Sequence, residues 1–599
     1  MFTLLSRRSL TLVLLALLLS GCRSDADTGP SPVAVSPLAP ATSTDSPTVP
    51  LPDTATAPAS PSAAPTATRT QAPMVMATPT VAPADTATPD LITDLALAAD
   101  GIFLYPVPEL FEGDVVTFQI IADVPALINP NDVGVHIYVD ETRVVDDTLR
   151  FRNLAGQTIG LYEWIWDSAG QAGEHRLEVR IDPADRIQEG DADPDNNDVV
   201  LPLVVNPAAT RPLAERDAVW STTAGAHADI HVVTNTAAHR DLPFLTATTD
   251  AAIQQAMSRL DETPLERLQV YFIERVIGQG GYAGGVMVVT YSDRDYAGDG
   301  LYEVLVHEAV HLLDRQIAPN RIPFLTEGVA VWATGGHYKQ EDLLTRSAAL
   351  LASDLYVPLP QLIDDFYPVQ HEIGYLEAGG LVHYLVEQYG YPRFKQFYAD
   401  YDALPGEAQS EAVSRLLLRH YGLSLAEIET AWHAALRQAT TTERDVVDLL
   451  TTVRYYNVMR DYQQAYDPTA YFLQAWLPFP VAAQERGLVA DFLRRPDDVE
   501  SIALETMLLA ADGALRLGAY DECALLLDSV DRVLETGRFA DPLAQAYRQL
   551  VDAGARLGYD VQRIDLRSRE AQLVVRPLGS NELLQLTFVR SGARWVPSI

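Results

Sequence analysis

Three residues that can do chemistry stand close together in the segment His307-Glu308-Ala309-Val310-His311. Residues four apart share one face of a helix, so two imidazoles at this spacing can point at one metal ion. Glu308, beside them, is placed to act on a water bound to that ion. Two imidazoles alone hold Zn²⁺ poorly; a catalytic site takes three protein ligands and leaves a fourth position open. The best third ligand is Glu327, the lone acid in the apolar run Phe324-Leu325-Thr326-Glu327-Gly328-Val329-Ala330-Val331-Trp332. A single charge there is costly unless it is paired or bound to metal. These residues offer metal-assisted hydrolysis, with one Zn²⁺ per chain and Glu308 as general base.

The elements that must position these groups follow from the apolar pattern. Asp299 or Gly300 can begin a helix over 301–313. Within it Val304, Leu305, Val306, Ala309, Val310, Leu312 and Leu313 leave almost no polar side except the motif. Such a helix is buried, and its buried polar groups must find partners. Pro323 and Thr326 suit the start of a second helix, the one that carries Glu327. His227 and His231 are also four apart, but Ala228 stands where an acid would be needed and the run from Ile230 reads as a strand. Those two are expected to be surface or packing histidines.

His307-Glu308-Ala309-Val310-His311 followed by Phe324-Leu325-Thr326-Glu327-Gly328-Val329-Ala330 resembles the gluzincin, or peptidase MA-like, pattern over residues 215–440. The resemblance implies an α+β zincin-like metallopeptidase domain with His307, His311 and Glu327 as zinc ligands and Glu308 as base. Tyr375, near the start of a helical run at 374–389, resembles in placement the family's tyrosine that stabilises the oxyanion. His371 and His383 are alternatives, as is a structural role for Tyr375. Gly379 and Gly380 suggest close packing against the active-site helix. The stretch 280–289 is read as the edge strand that pairs with an extended peptide, with Gly285, Val286 and Met287 as substrate-binding candidates. Aminopeptidases of the clan carry an acid there, where this chain has Val288, which tilts the reading towards an endopeptidase.

The rest of the chain gives the setting. Of 599 residues, 48% are hydrophobic, and 81 acidic against 43 basic residues give a net charge of −38, which argues against nucleic acid as a partner. Arg7 and Arg8 precede an apolar run ending in Leu19-Ser20-Gly21-Cys22. The run is too short to span a bilayer and has the shape of a signal peptide. Its end resembles a bacterial lipobox, which implies lipidation of Cys22, anchoring to the cell membrane and an extracytoplasmic location. Whether export is by the general or the twin-arginine route stays open. With Cys22 acylated, only Cys523 remains, read as a buried apolar residue. Residues 23–94, rich in Pro, Thr and Ala, are expected to be a disordered linker.

Period-two runs over 95–206 predict an immunoglobulin-like β-sandwich. Gly113-Asp114, Tyr138-Val139-Asp140, Trp164-Ile165-Trp166 and the ending Asp182-Pro183, Glu189, Asn196-Asn197 resemble the CARDB family. That implies a surface for glycan or protein contacts. Asp191, Asp193 and Asp195 suggest a calcium loop, but Asn196 and Pro202 stand where an EF-hand needs Gly and Glu, so a solvated acidic turn is expected. Residues 441–599 read as a mostly helical C-terminal region ending in a few β-strands, with no chemical motif. The chain is therefore multidomain. Its expected function is that of a cell-surface zinc metallopeptidase acting on peptides or proteins. The alternatives are a non-catalytic adhesion or scaffold lipoprotein with a relic zincin domain, and a metal-dependent hydrolase of non-peptide substrates.

Overall fold

The computed structural model describes residues 93–105, 109–154, 157–369, 371–471, 475 and 477–598. Cys22, the signal segment and all but the last two residues of the expected linker lie outside these. Among the described residues, no helix is long and apolar enough to cross a membrane.

The first part is a two-sheet sandwich. Its strands are β1 (Ile102–Tyr105), β2 (Leu110–Phe111), β3 (Val115–Asp123), β4 (Gly134–Val139), β5 (Thr142–Thr148), β6 (Arg150–Leu154), β7 (Gln157–Asp167), β8 (Gly173–Ile181) and β9 (Asp198–Asn206). One sheet runs β1-β3-β7-β6 and the other β2-β9-β8-β4-β5. Alternation decides which side chains turn inward: in β4, Val135, Ile137 and Val139 are buried and their neighbours are not. Phe118 stacks on Trp164 at 5.0 Å in a core shared by both sheets.

The second part begins with a five-stranded sheet. It comprises β10 (Trp220–Ala224), β11 (Ala228–Val233), β12 (Leu268–Ile273), β13 (Gly281–Ala283) and β14 (Met287–Thr290), in the order β10-β11-β12-β14-β13. β12 runs parallel to β11 and β14, while both edge strands are antiparallel. The predicted edge strand over 280–289 is thus corrected. It is a hairpin whose first arm, β13, is the edge, whereas Met287 belongs to β14, paired on both sides and fully buried. Gly285 sits in the turn at φ +93°, a conformation that favours glycine, and Val286 packs into a core cluster.

Helices α1 (Ala237–Arg240), α2 (Leu242–Leu260), α3 (Leu301–Leu313), α4 (Pro323–Thr334), α5 (Leu343–Ala352), α6 (Leu359–Asp364) and α7 (His371–Tyr389) follow. After them come α8 (Tyr391–Ala399), α9 (Gln409–Tyr421) and α10 (Leu425–Gln438). The apolar faces of α2, α3, α4 and α7 and one face of the sheet share a single core. Helix α3 has the bounds its sequence predicts, and α4 starts with Pro323 at its first position. A side-chain carbon on Gly379 would meet Val331, and one on Gly328 would lie 2.8 Å from the Ala378 carbonyl oxygen. The close approach predicted from Gly379 is therefore with α4, the helix of Glu327, rather than with α3. Gly380 faces Ser347 of α5 and Trp432 of α10.

Beyond residue 441 lie α11 (Glu443–Tyr466), α12 (Pro480–Arg486), α13 (Ala490–Leu493), α14 (Val499–Arg516), α15 (Tyr520–Thr536) and α16 (Pro542–Arg556). They are followed by β15 (Tyr559–Leu566), β16 (Glu570–Pro577), β17 (Leu584–Ser591) and β18 (Arg594–Pro597). Cys523 is buried on α15, as expected. This region does not stand apart. Tyr455, Tyr456 and Tyr462 of α11 share a core with Tyr296 and Tyr338. A strap around α12 and α13 ties the sandwich on. Trp220 donates to the Leu488 carbonyl at 2.7 Å, Thr117 to Asp491 at 2.7 Å, and buried Arg494 pairs with both Asp114 and Glu215.

The glycine contact between α4 and α7 is testable. Gly379→Ala should destabilise the fold by about 1–3 kcal/mol through overpacking against Val331. The thermal midpoint should fall and zinc binding weaken with it; an unchanged midpoint would refute the contact.

Candidate metal centre

The two imidazoles predicted to face one way do so. On α3, His307 and His311 bring their ring centroids to 4.7 Å. Glu327 Oε2 lies 3.0 Å from His307 Nε2 and 3.2 Å from His311 Nε2. The three ligand atoms lie within 4.8 Å of one another. This His₂Glu set with one side open matches the donor set of catalytic zinc sites, and the residues present fit the ion. Helix α4 holds Glu327 from below, because its other inward residues, Phe324, Leu325 and Val331, are buried apolar side chains.

Electrostatics around the triad follow from burial. Removal from water holds the His307 imidazole down at about 4, so it is neutral. Burial also works against protonation of His311, but the Glu327 charge and hydrogen bond outweigh it and raise His311 to about 9. For Glu327 burial opposes ionisation, and the two histidines overcome it, holding the carboxyl well below its ordinary range. Metal-free, the pair therefore shares one proton, held as His311⁺ beside Glu327⁻. Burial, with the Glu327 and Asp299 charges, pushes Glu308 up to about 8. Its Oε2 is buried and accepts no hydrogen bond from the described residues.

Gly281 of β13 comes next to this acid: a side-chain carbon there would lie 2.9 Å from Val304 and 3.4 Å from Glu308 Cγ. A cavity of about 30 Å³ lies at this point, lined by Gly281, Asp299, Glu303, His307, Glu308 and His337 among others. Of the substrate candidates, Gly285, Val286 and Met287 do not line it, whereas Gly281 does.

Tyr375 is buried on α7 with its ring 6.1 Å from that of His307, 4.8 Å from His337 and 4.0 Å from His371. His371 lies one turn before it, in the same aromatic group. His383 lies eight residues on, about 12 Å further along the helix.

Several neighbours carry no sequence motif. His337 follows α4 through Gly335 and Gly336, both at positive φ, and its Nδ1 lies 2.5 Å from Glu372. Tyr367 lies beside Glu327; burial, together with the Glu327 charge, raises its hydroxyl well above the ordinary tyrosine range. From α11, Tyr456 donates to Asp299, and Arg460 Nη2 donates to Gln279 Oε1 at 2.6 Å. The one signal for these in the sequence was the Gly335-Gly336 pair after the helix; contacts across more than a hundred residues leave no local trace.

The His311 proton makes loading of the site pH-dependent. Protonated in the metal-free protein at neutral pH, His311 must release its proton to bind metal. Apparent zinc affinity should then rise roughly tenfold per pH unit between about pH 6 and 8. Zinc titration calorimetry in buffers of different ionisation enthalpy measures this, and a pH-independent affinity would contradict the assigned pair.

No family model matches the chain, and no curated protein does. Among solved structures, the CARDB domain of a Pyrococcus furiosus protein, in complex with di-metal ions, is similar over 20% of this chain and 96% of that one. The identity is 15% and the TM-score 0.16. An aminopeptidase N family protein from Idiomarina loihiensis is similar over 57% of this chain and 76% of that one, at 11% identity and TM-score 0.26. A two-domain M1 zinc metallopeptidase variant bound to L-tryptophan is similar over 57% and 95%, at 12% identity and TM-score 0.25. The structures similar to this chain thus include both a CARDB domain and zinc peptidases of the aminopeptidase N type.

Proposed function

We propose that this chain is a zinc-dependent peptidase acting on peptide or protein substrates. The observation that carries the reading is the convergence of His307, His311 and Glu327 beside a buried carboxylate, Glu308, whose Oε2 has no hydrogen-bond partner among the described residues. His307, His311 and Glu327 would hold the ion, which when bound supplies a water of lowered pKa and polarises the scissile carbonyl. Glu308 takes a proton from the attacking water and delivers it to the leaving amine. Its burial favours that exchange, because a carboxyl raised towards neutrality both accepts and releases a proton readily. Tyr375, next to His307, is the group proposed to donate to the oxyanion.

The cavity beside Glu308 opens towards β13 through Gly281. The extended peptide is assigned to the outer edge of β13, at Gly281–Ala283, which among the described residues pairs with no further strand and where backbone pairing needs little sequence. The open edge of β13 favours an endopeptidase, whereas Val288, read as a rim position, is buried in β14 and does not line the cavity. One observation favours a second reading: Asp299 and Glu303 bring carboxylates into the same cavity and could hold a substrate's amino terminus.

Metal analysis and peptide-library cleavage by wild type and Glu308→Gln test the proposal. About one zinc per chain is expected in both, with cleavage reduced roughly 10²–10⁴-fold in the variant. Equal activity would end the mechanism, and a chain that binds no zinc would favour a scaffold role. Cleavage sites inside library peptides support the endopeptidase; release of amino-terminal residues alone supports the second reading.

The proposed location is the outer face of a bacterial membrane, through acylated Cys22. Cys22→Ser should move the protein from the membrane fraction to the soluble one, and retention on the membrane would remove the lipid anchor from the proposal.

A further inference from the structure

The loop that closes the sandwich was expected to be a solvated acidic turn, and part of it is not solvated. Asp193 and Asp195 are exposed, but Asp191 is 9% and Asn197 4% exposed. Asn197 Nδ2 donates to Asp191 Oδ2 at 2.8 Å, and Asn196 Nδ2 donates to Asp94 Oδ2 at 2.9 Å. These bonds fix both amides, since turning either over would set its oxygen against a carboxylate. Among the described residues, Asp191 Oδ1, Asn196 Oδ1 and Asn197 Oδ1 are then left as buried acceptors that accept no hydrogen bond.

Three orphaned acceptors on one turn call for an electron-poor partner. The surrounding charge has the same sign. Burial, then the charges of Asp94, Asp182 and Asp185, push the Asp191 carboxyl up. None of these four acids has an ion pair among the described residues, so no Arg or Lys supplies the missing positive charge.

We propose that this turn binds a calcium ion through the three unpartnered oxygens, Asp191 Oδ1, Asn196 Oδ1 and Asn197 Oδ1, with waters filling the rest of its shell. Mixed carboxylate and amide oxygens suit calcium, which takes six to eight oxygens in flexible geometry. Magnesium demands a tighter octahedron and gives up its waters reluctantly. The site would act where the chain enters the sandwich. The loop grips the first described residues through Leu95 N to Gly190 O at 2.8 Å and Leu97 N to Asn196 O at 3.1 Å. Asp94 Oδ1 adds a bond from Ala192 N at 2.6 Å. Calcium there would fasten residues 94–97 to the loop that follows β8.

The test is calcium titration of the full chain after EGTA treatment, by calorimetry and by amide hydrogen exchange. Wild type should bind one calcium in this loop with a Kd of about 10⁻⁴–10⁻³ M, the range of extracellular modules. Exchange should slow in residues 94–97 and 187–197 on addition of calcium. Asp191→Asn should weaken binding at least about tenfold and abolish that protection. Asn196→Ala, which keeps the Asp191–Asn197 bond, should weaken binding as well, and Asp193→Asn, on an exposed residue, should leave it unchanged. The proposal is overturned if wild type shows no calcium-dependent protection in this loop. It is also overturned if both Asp191→Asn and Asn196→Ala bind as wild type does, or if magnesium binds there as tightly as calcium.

Discussion

A carboxylate buried among apolar side chains must be compensated, and in this protein that carboxylate is Glu327. It sits on a helix whose inward face is Phe324, Leu325, Val329 and Val331, and its compensation comes from two imidazoles on the next helix. The ion pair with His311 satisfies the charge, and a divalent ion would satisfy it in place of the proton. Packing on both sides holds α3 and α4 at the separation that brings these three groups together. Gly328 and Gly379 let α7 press onto α4 from behind, while β13 and β14 support α3 from the sheet side.

The same economy of buried charge runs through the joints between the parts. Arg494 is buried between Asp114 of the sandwich and Glu215 at the start of the second part, so it fixes their relative placement by pairing with both. Arg294 does the equivalent at the C-terminal end, bridging Glu505 and Asp560 from a fully buried position. Breaking such a pair leaves an uncompensated charge in a low-dielectric interior, which is why these contacts are specific about geometry even where their net contribution to stability is small. The sandwich, the second part and the C-terminal region are therefore not independent beads. Helix α11 in particular forms one wall of the candidate site, through Tyr456 against Asp299 and Arg460 against Gln279.

The local parts of this structure were open to reading because local rules govern them. Helix α3 is apolar on nearly every side, so its bounds and its burial followed from composition, and the demand of its three polar groups for partners followed from burial. Period-two alternation exposed β4 and β8 in the same way. The hairpin at 281–290 was harder: a run of Gly and Val has the same pattern whether a strand is an edge or paired on both sides. The difference lies in what its neighbours do, so Met287 was assigned to the rim when it belongs to the interior. The acidic turn after β8 illustrates the same limit, since Asp191 and Asp193 are alike in sequence and differ only in which way the loop turns them.

By itself the sequence determined the candidate ligands. His307 and His311 share a helix face because of their spacing, and Glu327 needed a partner because of its apolar neighbours; both are consequences of short-range geometry and desolvation. It also determined that His227 and His231 would not form a second centre, and His231 is indeed a packing residue stacked on Tyr271 at 4.2 Å. Only the tertiary structure decided which distant groups complete the site: His337 after a two-glycine turn, Tyr367 beside Glu327, and Tyr456 and Arg460 from a helix more than a hundred residues on. Such contacts arise from packing across the whole chain, where the register of one helix against another is set by every side chain between them and by no single local pattern.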